Sequence, residues 1–303
     1  MTKEIIFLDR ITKTLQKEKV YGRAYLEAFY GTGRWSSFLS SFCLPLIACH
    51  PFASRLYGFL QKSRLSKRKV KPFIKEFHVD TSEFLVPVDS FTSFNDFFIR
   101  KLTTKARPIA LGDDIAILPA DGRYLVYPHI EEADGFIVKG KKFLLEELLQ
   151  DEELAQGYLG GGMVIARLCP TDYHRFHFPC NCVPSEPKLL QGPLHSVNPL
   201  ALRQRVQILS QNKRELTVLE TEKFGKVLFL EVGATFVGSI HQTFAPKIPH
   251  LKGDEKGYFS FGGSSLVVLF EPGRIQFDQD LVEASHQKLE IKGLMGQSLG
   301  RAL

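Results

Sequence analysis

The sequence predicts an α+β fold, with a β-rich body over residues 81–303 behind an N-terminal helical, membrane-associating region over residues 1–80. Three observations predict it. An uncharged apolar stretch at 35–54 is followed by a run of bases without an acid. Short β-branched and aromatic runs bounded by Gly, Pro and Asp recur from about residue 79 onward. Among those runs, helical patterning appears only near 144–154 and 199–210. The chain carries no internal repeat and no low-complexity tract.

The composition belongs to a chain with a sizeable core: 303 residues, 44% hydrophobic and 24% charged. That excludes wholesale disorder and fibrous structure. Lys and Arg number 39 against 33 Asp and Glu, for a formal charge of +6. Such a balance suits an anionic partner, without choosing between nucleic acid and acidic lipid. Five cysteines, an odd number in a long chain, argue against a disulfide framework and for a reducing compartment. Residues 1–10 mix acids and bases and lack a secretory signal, so secretion is disfavoured.

Within the N-terminal region, WSSFLSSFCLPLIACHPFAS (35–54) approaches the length of a membrane span. Pro45, His50, Pro51 and five serines break it, which favours lying in the interface over crossing it. Arg55, Lys62, Arg64, Lys67, Arg68, Lys69, Lys71 and Lys75 then follow with no acid between them. Each such base near an anionic bilayer contributes about 1 kcal/mol. A buried hairpin with a solvated basic face is the plainer alternative. Nucleic acid fits less well, because these bases adjoin lipid-like surface rather than interleaved stacking aromatics.

The body's strands are expected in GFIVKGKKF (135–143), GGMVIARL (161–168), KVLFLEVGATFVGSI (226–240) and SLVVLFEPGRIQF (265–277). LLEELLQDEEL (144–154) reads as a helix whose acids face solvent.

Three stretches offer chemistry. In Phe261-Gly262-Gly263-Ser264-Ser265, a turn before a strand is the ordinary reading. It is no nucleophile elbow, since position 266 is Leu, and no phosphate loop, since no Lys follows. Gly263 does, however, leave its carbonyl open to approach, so Ser264 Oγ can attack it once a base takes the hydroxyl proton. In the second stretch, 171–182, His174 and His177 point oppositely if the backbone is a strand, so sharing a pocket requires a turn or bulge. With Cys180 and Cys182 they also invite a zinc reading, against which the tight Cys-x-Cys spacing and Pro179 argue; structural and acid/base histidines are the other readings. The third is Pro119-Ala120-Asp121-Gly122, an ordinary β-turn composition whose Asp would, if buried beside a histidine, fix its tautomer.

Taken in order, SFNDFFIRKL (93–102), ARPI (106–109), PADG (119–122), VKGKKF (138–143), DYHRFH (172–177), HSVNP (195–199), VGATFVGSI (232–240), KGDEKGYFSFGGSS (252–265) and LFEPG (269–273) resemble the pyruvoyl-dependent phosphatidylserine decarboxylases. The resemblance implies a membrane-associated proenzyme, a carboxy-lyase of phosphatidylethanolamine biosynthesis. It implies self-cleavage between Gly263 and Ser264 into a β chain (1–263) and an α chain (264–303) that stay together as a heterodimer. Ser264 would attack Gly263, the ester would undergo β-elimination, and hydrolysis would leave a pyruvoyl group as a covalent cofactor. By the same resemblance, Asp121 orients His177, and His177 is the base for Ser264. The pyruvoyl group would form a Schiff base with phosphatidylserine. His174 would then protonate the decarboxylated carbon, with Phe176 and Phe178 lining the substrate pocket. No metal is expected.

Two departures stand out. An added glycine precedes Ser264, leaving Ser265 as the alternative nucleophile, and His195 stands where the family has Tyr. The implied partners are phosphatidylserine, an anionic membrane surface and, as an open matter, further copies of the chain; nucleic acid is not among them. The implied location is peripheral, on the cytoplasmic face of a bacterial cell membrane. The competing readings are a decarboxylase of another serine lipid or amino acid, and a non-catalytic lipid-binding relative that remains uncleaved.

Overall fold

Every residue of the run Ser264–Phe270 is buried, as a strand in the middle of a sheet covered on both faces must be. The computed structural model, which describes residues 5–19, 58–133, 145–197, 208–234, 240–261 and 264–303, places it there. In chain order the strands are β1 (Ile6–Asp9), β2 (Leu15–Lys17), β3 (Ile115–Ile117), β4 (Gly122–Tyr127), β5 (Gly162–Leu168), β6 (Arg175–His177), β7 (Val183–Pro184) and β8 (Lys188–Leu190). They continue as β9 (Arg214–Glu220), β10 (Lys226–Gly233), β11 (Ile240–Gln242), β12 (Glu255–Phe259), β13 (Ser264–Phe270), β14 (Ile275–Phe277), β15 (Glu290–Gly293) and β16 (Ser298–Ala302).

The main sheet runs β2-β1-β15-β4-β5-β13-β10-β9-β7, with β8 also paired to β9. Two smaller sheets, β11-β12-β6 and β14-β16-β3, accompany it. Side chains alternate along β13, so its two faces enter different cores. Val267 and Leu269 pack with Leu125, Ile165, Leu228 and Leu230. Leu266 and Val268 pack with Phe176, Phe178, Phe229 and Phe259, the aromatic layer under the β11-β12-β6 sheet. A third cluster gathers Phe73, Phe84, Phe91, Phe94, Phe97 and Phe98 around Phe261.

The α+β class and the described parts of the runs 161–168, 226–240 and 265–277 agree with this architecture, and the run 135–143 lies outside the described residues. The N-terminal expectation needs correction. Residues 5–19 are not helical; β1 pairs parallel with β15 and antiparallel with β2, extending the main sheet at its edge. The apolar stretch 35–54 lies outside the described residues. Helix does occupy Val70–Phe77, preceded by a 3-10 turn over Arg64–Lys69. Among the described residues no helix is long and apolar enough to cross a membrane. The body also starts later in β structure than the texture suggests, since residues 81–114 hold short helices such as Phe94–Phe98 and β3 begins only at Ile115.

The single helix expected at 144–154 is two, Leu145–Leu149 and Glu152–Gln156. Gln150 breaks it at a φ of 50°, a left-handed conformation a helix cannot continue through. Asp151 then caps the second helix, its carboxylate accepting from Leu154 N–H at 3.0 Å. Of the pattern at 199–210, the described part is the helix Ile208–Gln211.

Candidate active site

Ser264 opens β13, opposite Leu168 of β5 on one side and Gly233 of β10 on the other. Its side chain shares a face with Leu266 and Val268, the face toward β6 and β12. Ser265 points the other way, level with Arg167. Both hydroxyls are buried, and neither has a hydrogen-bond partner among the described residues. Alternation therefore separates the two candidate nucleophiles: only Ser264 faces the strand that carries His177.

The histidines come from β6 and the residue just before it. His177 donates its backbone N–H to Pro119 O at 2.8 Å, which sets it against the PADG turn. Its ring stacks on Tyr173 at 5.8 Å between centroids, and its Nδ1 has no hydrogen-bond partner among the described residues. Burial pushes its pKa down to about 4, with the Arg175 charge adding to the effect and Glu255 and the Pro119 carbonyl opposing it. The imidazole is therefore neutral near pH 7 and in the form that accepts a proton. His174 is fully buried; its Nδ1 lies 2.9 Å from Asp172 O. A carbonyl only accepts, so Nδ1 carries the hydrogen and Nε2 is the basic nitrogen.

The helix Phe94–Phe98 secures this end of the site. Ser93 caps it, accepting from Asp96 N–H at 3.1 Å. Phe98 lies 3.8 Å from the His174 ring and 4.8 Å from Phe261, between centroids. Asn95 Oδ1 accepts from Phe261 N–H at 2.9 Å. One short helix thus holds both His174 and the residue three places before Ser264.

Asp121 is placed differently from its expected role. Arg107 grips it through Nε at 2.9 and 3.1 Å and Nη2 at 2.6 Å, and Met295 N–H donates to Oδ1 at 2.9 Å. Arg107 is held in turn by Glu83 at 2.8 and 3.0 Å. Asp121 and His177 therefore sit on adjoining segments, but the carboxylate is committed to Arg107 rather than to the imidazole.

Phe176 and Phe178 are fully buried in ring packing, Phe176 on Phe259 at 4.9 Å and Phe178 on His250 at 4.8 Å. They back the site from the core. His195 is buried as well, its segment clasped by Asn212, which accepts from His195 N–H at 3.0 Å and donates to His195 O at 2.8 Å. Asn212 also donates to Gly233 O at 2.8 Å, opposite Ser264. Cys180 and Cys182 are buried free thiols, burial pushing Cys182 up to about 12. Among the described residues no three His, Cys, Asp or Glu side chains are grouped to hold a metal ion.

Sequence reasoning did not single out Asn95, Phe98, Arg107, Asn212 or Phe261. Four of the five lie inside blocks quoted for their resemblance. What each one does depends on contacts across 14 to 166 residues of sequence, which no local pattern reports.

The sequence profile of the phosphatidylserine decarboxylase family matches residues 94–301. The phosphatidylserine decarboxylase proenzyme of Chlamydia pneumoniae is 49% identical over 296 residues, covering 98% of this chain and 97% of that protein. Its counterpart in Chlamydia caviae is 48% identical over 301 residues, 99% of each chain. That of Chlamydia trachomatis serovar D is 42% identical over 299 residues, 99% of this chain and 98% of the relative. With the matched segments spanning β13, both histidines and the PADG turn, the chain belongs to the phosphatidylserine decarboxylase family.

Proposed function

We infer that the chain is a proenzyme that cleaves itself between Gly263 and Ser264 and then converts phosphatidylserine to phosphatidylethanolamine and carbon dioxide. The observation that carries this reading is the Ser264 hydroxyl. It is buried, unpartnered among the described residues, and faces the histidine-bearing strand at the start of a central β-strand. A buried hydroxyl left without a partner costs stability, and at this position the cost supports a nucleophile.

His177, neutral through burial, takes the hydroxyl proton as Ser264 attacks the Gly263 carbonyl. Asp121 is the acid that orients His177. Both its oxygens are engaged in the uncleaved chain, so orienting His177 entails exchange of an Arg107 bond. β-Elimination of the resulting ester would release Gly263 as a carboxylate and leave a dehydroalanine, which water would hydrolyse with loss of ammonia to a pyruvoyl ketone at residue 264; that group would supply an electron sink for the carbanion left by carbon dioxide. His174 then moves the proton to that carbon. Its Nδ1 hydrogen is held by Asp172 O, so the transferred proton travels on Nε2. The aromatic surroundings of Phe98, Phe176 and Phe261 exclude water and favour loss of a charged carboxylate.

Substrate reaches the protein at a membrane surface in this reading. Phe59 and Leu65 are 71% and 74% exposed, among the exposed bases Lys62, Arg64, Lys67 and Arg68. That mixture suits peripheral attachment to anionic lipid.

Intact mass spectrometry of purified wild type beside Ser264→Ala tests the proposal. The wild type yields two chains, 1–263 and a 264–303 fragment blocked by a ketone, and forms phosphatidylethanolamine from phosphatidylserine vesicles. Ser264→Ala remains one inactive chain. A single intact wild-type chain would instead favour a non-catalytic lipid-binding protein.

A further inference from the structure

The most heavily desolvated ion pair among the described residues has no part in the chemistry above. Lys256 and Glu231 are both 0% exposed, with Nζ 2.5 Å from Glu231 Oε1. The same ammonium donates to Thr217 Oγ1 at 3.0 Å and Gln242 Oε1 at 2.9 Å, and lies over the Phe229 and Phe244 rings at 5.0 and 4.8 Å. One side chain of β12 thus ties together β9, β10 and β11.

Its place in the ladder is unusual. Glu255 pairs with His177 and Gly257 with Phe176, so Lys256 is the extra residue of a β-bulge opposite the step between Phe176 and His177. A bulge re-aims side chains and bends its strand. Gly257 keeps the strand close at that point, since a Cβ there would meet His241 O at 2.3 Å and the Phe176 ring at 2.7 Å. The other end of the pin is equally telling. Glu231 stands opposite Leu266, two residues along β13 from Ser264 and on the same face.

We propose that Lys256 is a positioning residue for self-cleavage, its bulge and its pin to Glu231 setting the strand that carries His177 over the strand that begins at Ser264. This rests on the reading of Ser264 as nucleophile and His177 as its base. A pair wanted only for stability is better replaced by apolar side chains of similar volume, which in other proteins are often neutral or stabilising. What an ion pair with four fixed partners adds is a single geometry, and here that geometry relates the base to the nucleophile.

The test uses the full chain made by cell-free synthesis, with the cleaved fraction followed over time. The double variant Lys256→Met/Glu231→Leu removes both charges and refills the space. Its thermal midpoint is compared with that of the parent, both carrying Ser264→Ala so that neither is cleaved. The expected result is a midpoint within a few degrees of the parent and self-cleavage at least tenfold slower. Glu231→Gln, which keeps shape and a hydrogen-bond acceptor, is the second variant and is expected to slow cleavage by a similar factor. Folded variants that cleave within twofold of wild type overturn the positioning role. Wild type without cleavage, or Ser264→Ala with it, instead overturns the nucleophile reading beneath it, so the two failures are told apart.

Discussion

The proposed cleavage at Gly263–Ser264 would sever the chain at the start of a strand in the middle of the main sheet, so the 264–303 fragment should stay in place without a covalent link. β13 keeps pairing to both β5 and β10, and β15 keeps pairing to both β1 and β4. The side chains Leu266–Phe270, with Leu281, Ile291 and Leu299, are at most 1% exposed. Burying them contributes roughly 12–24 kcal/mol at about 1.5–3 kcal/mol each, against about 4–15 kcal/mol lost on association. The perturbation is Leu269→Ala, five residues from the cut and on the face away from the histidines. It should cost about 2–5 kcal/mol, raising the dissociation constant about 30-fold or more. Native size-exclusion chromatography over a dilution series, with urea added stepwise, reads the effect. Wild type should elute as one species at micromolar concentration and release the fragment only in denaturant, and Leu269→Ala should release it at lower urea. Spontaneous separation of the wild-type fragment in native buffer would refute the argument.

The remaining predictions concern single side chains. Burial holds the His177 pKa at about 4 against an ordinary 6.5. Between those values the unfolded chain binds a proton and the folded chain does not, so stability rises with pH across that window. About 3 kcal/mol is lost as pH falls from about 6.5 through about 4. In the uncleaved Ser264→Ala chain, His177→Asn should flatten the urea midpoint between about pH 7 and pH 4.5; an unchanged slope would count against the shift. Burial alone would raise the Glu18 carboxyl, but Arg167 and then Arg123 overcome it and hold it at about 2. Glu18→Gln leaves Arg167 paired with Glu290 and Arg123 with Asp172 but weakens the buried hydrogen bonds to Glu18, and should cost about 1–3 kcal/mol, seen as a lower thermal midpoint. His174→Ala should still cleave itself but lose most phosphatidylethanolamine formation, whereas Asp121→Asn should accumulate the uncleaved chain; the reverse pattern would exchange their roles. Ser265→Ala, on the opposite face, should cleave at position 263 as wild type does.

Much of the fold was legible because strands write their burial into the sequence. GMVIA (162–166) and LVVLF (266–270) are continuous apolar runs, and both lie in central strands buried along their length. The N-terminal error has an equally physical source. IFLD and LQK are too short and too weakly patterned to announce strands, and β1 depends on β15, nearly the whole chain away, while β2 depends on β1. The break at Gln150 escaped notice because a left-handed glutamine carries no compositional mark. Within the site, residue types and order were readable, but the pairing of Asp121 with Arg107 was not. Arg107 sat unread inside ARPI, and only the fold brings its guanidinium to the carboxylate.

In the proposed cleavage, register rather than composition separates the two serines as candidate nucleophiles. Ser264 and Ser265 have the same chemistry and are equally buried, yet a one-residue slip of β13 would exchange the faces they present. Two anchors oppose such a slip. Downstream, seven residues of β13 pair in register with both β5 and β10. Upstream, Phe261 is fixed by the Asn95 carboxamide and by its rings of contact with Phe94 and Phe98. On the far face, Arg167 stands level with Ser265 and is tied to Glu18 and Glu290 at 2.8 and 2.6 Å. That charge network reaches from the first described segment to the last part of the chain. It therefore braces β13 through residues on both sides of the proposed cleavage bond, Glu18 before it and Glu290 after it.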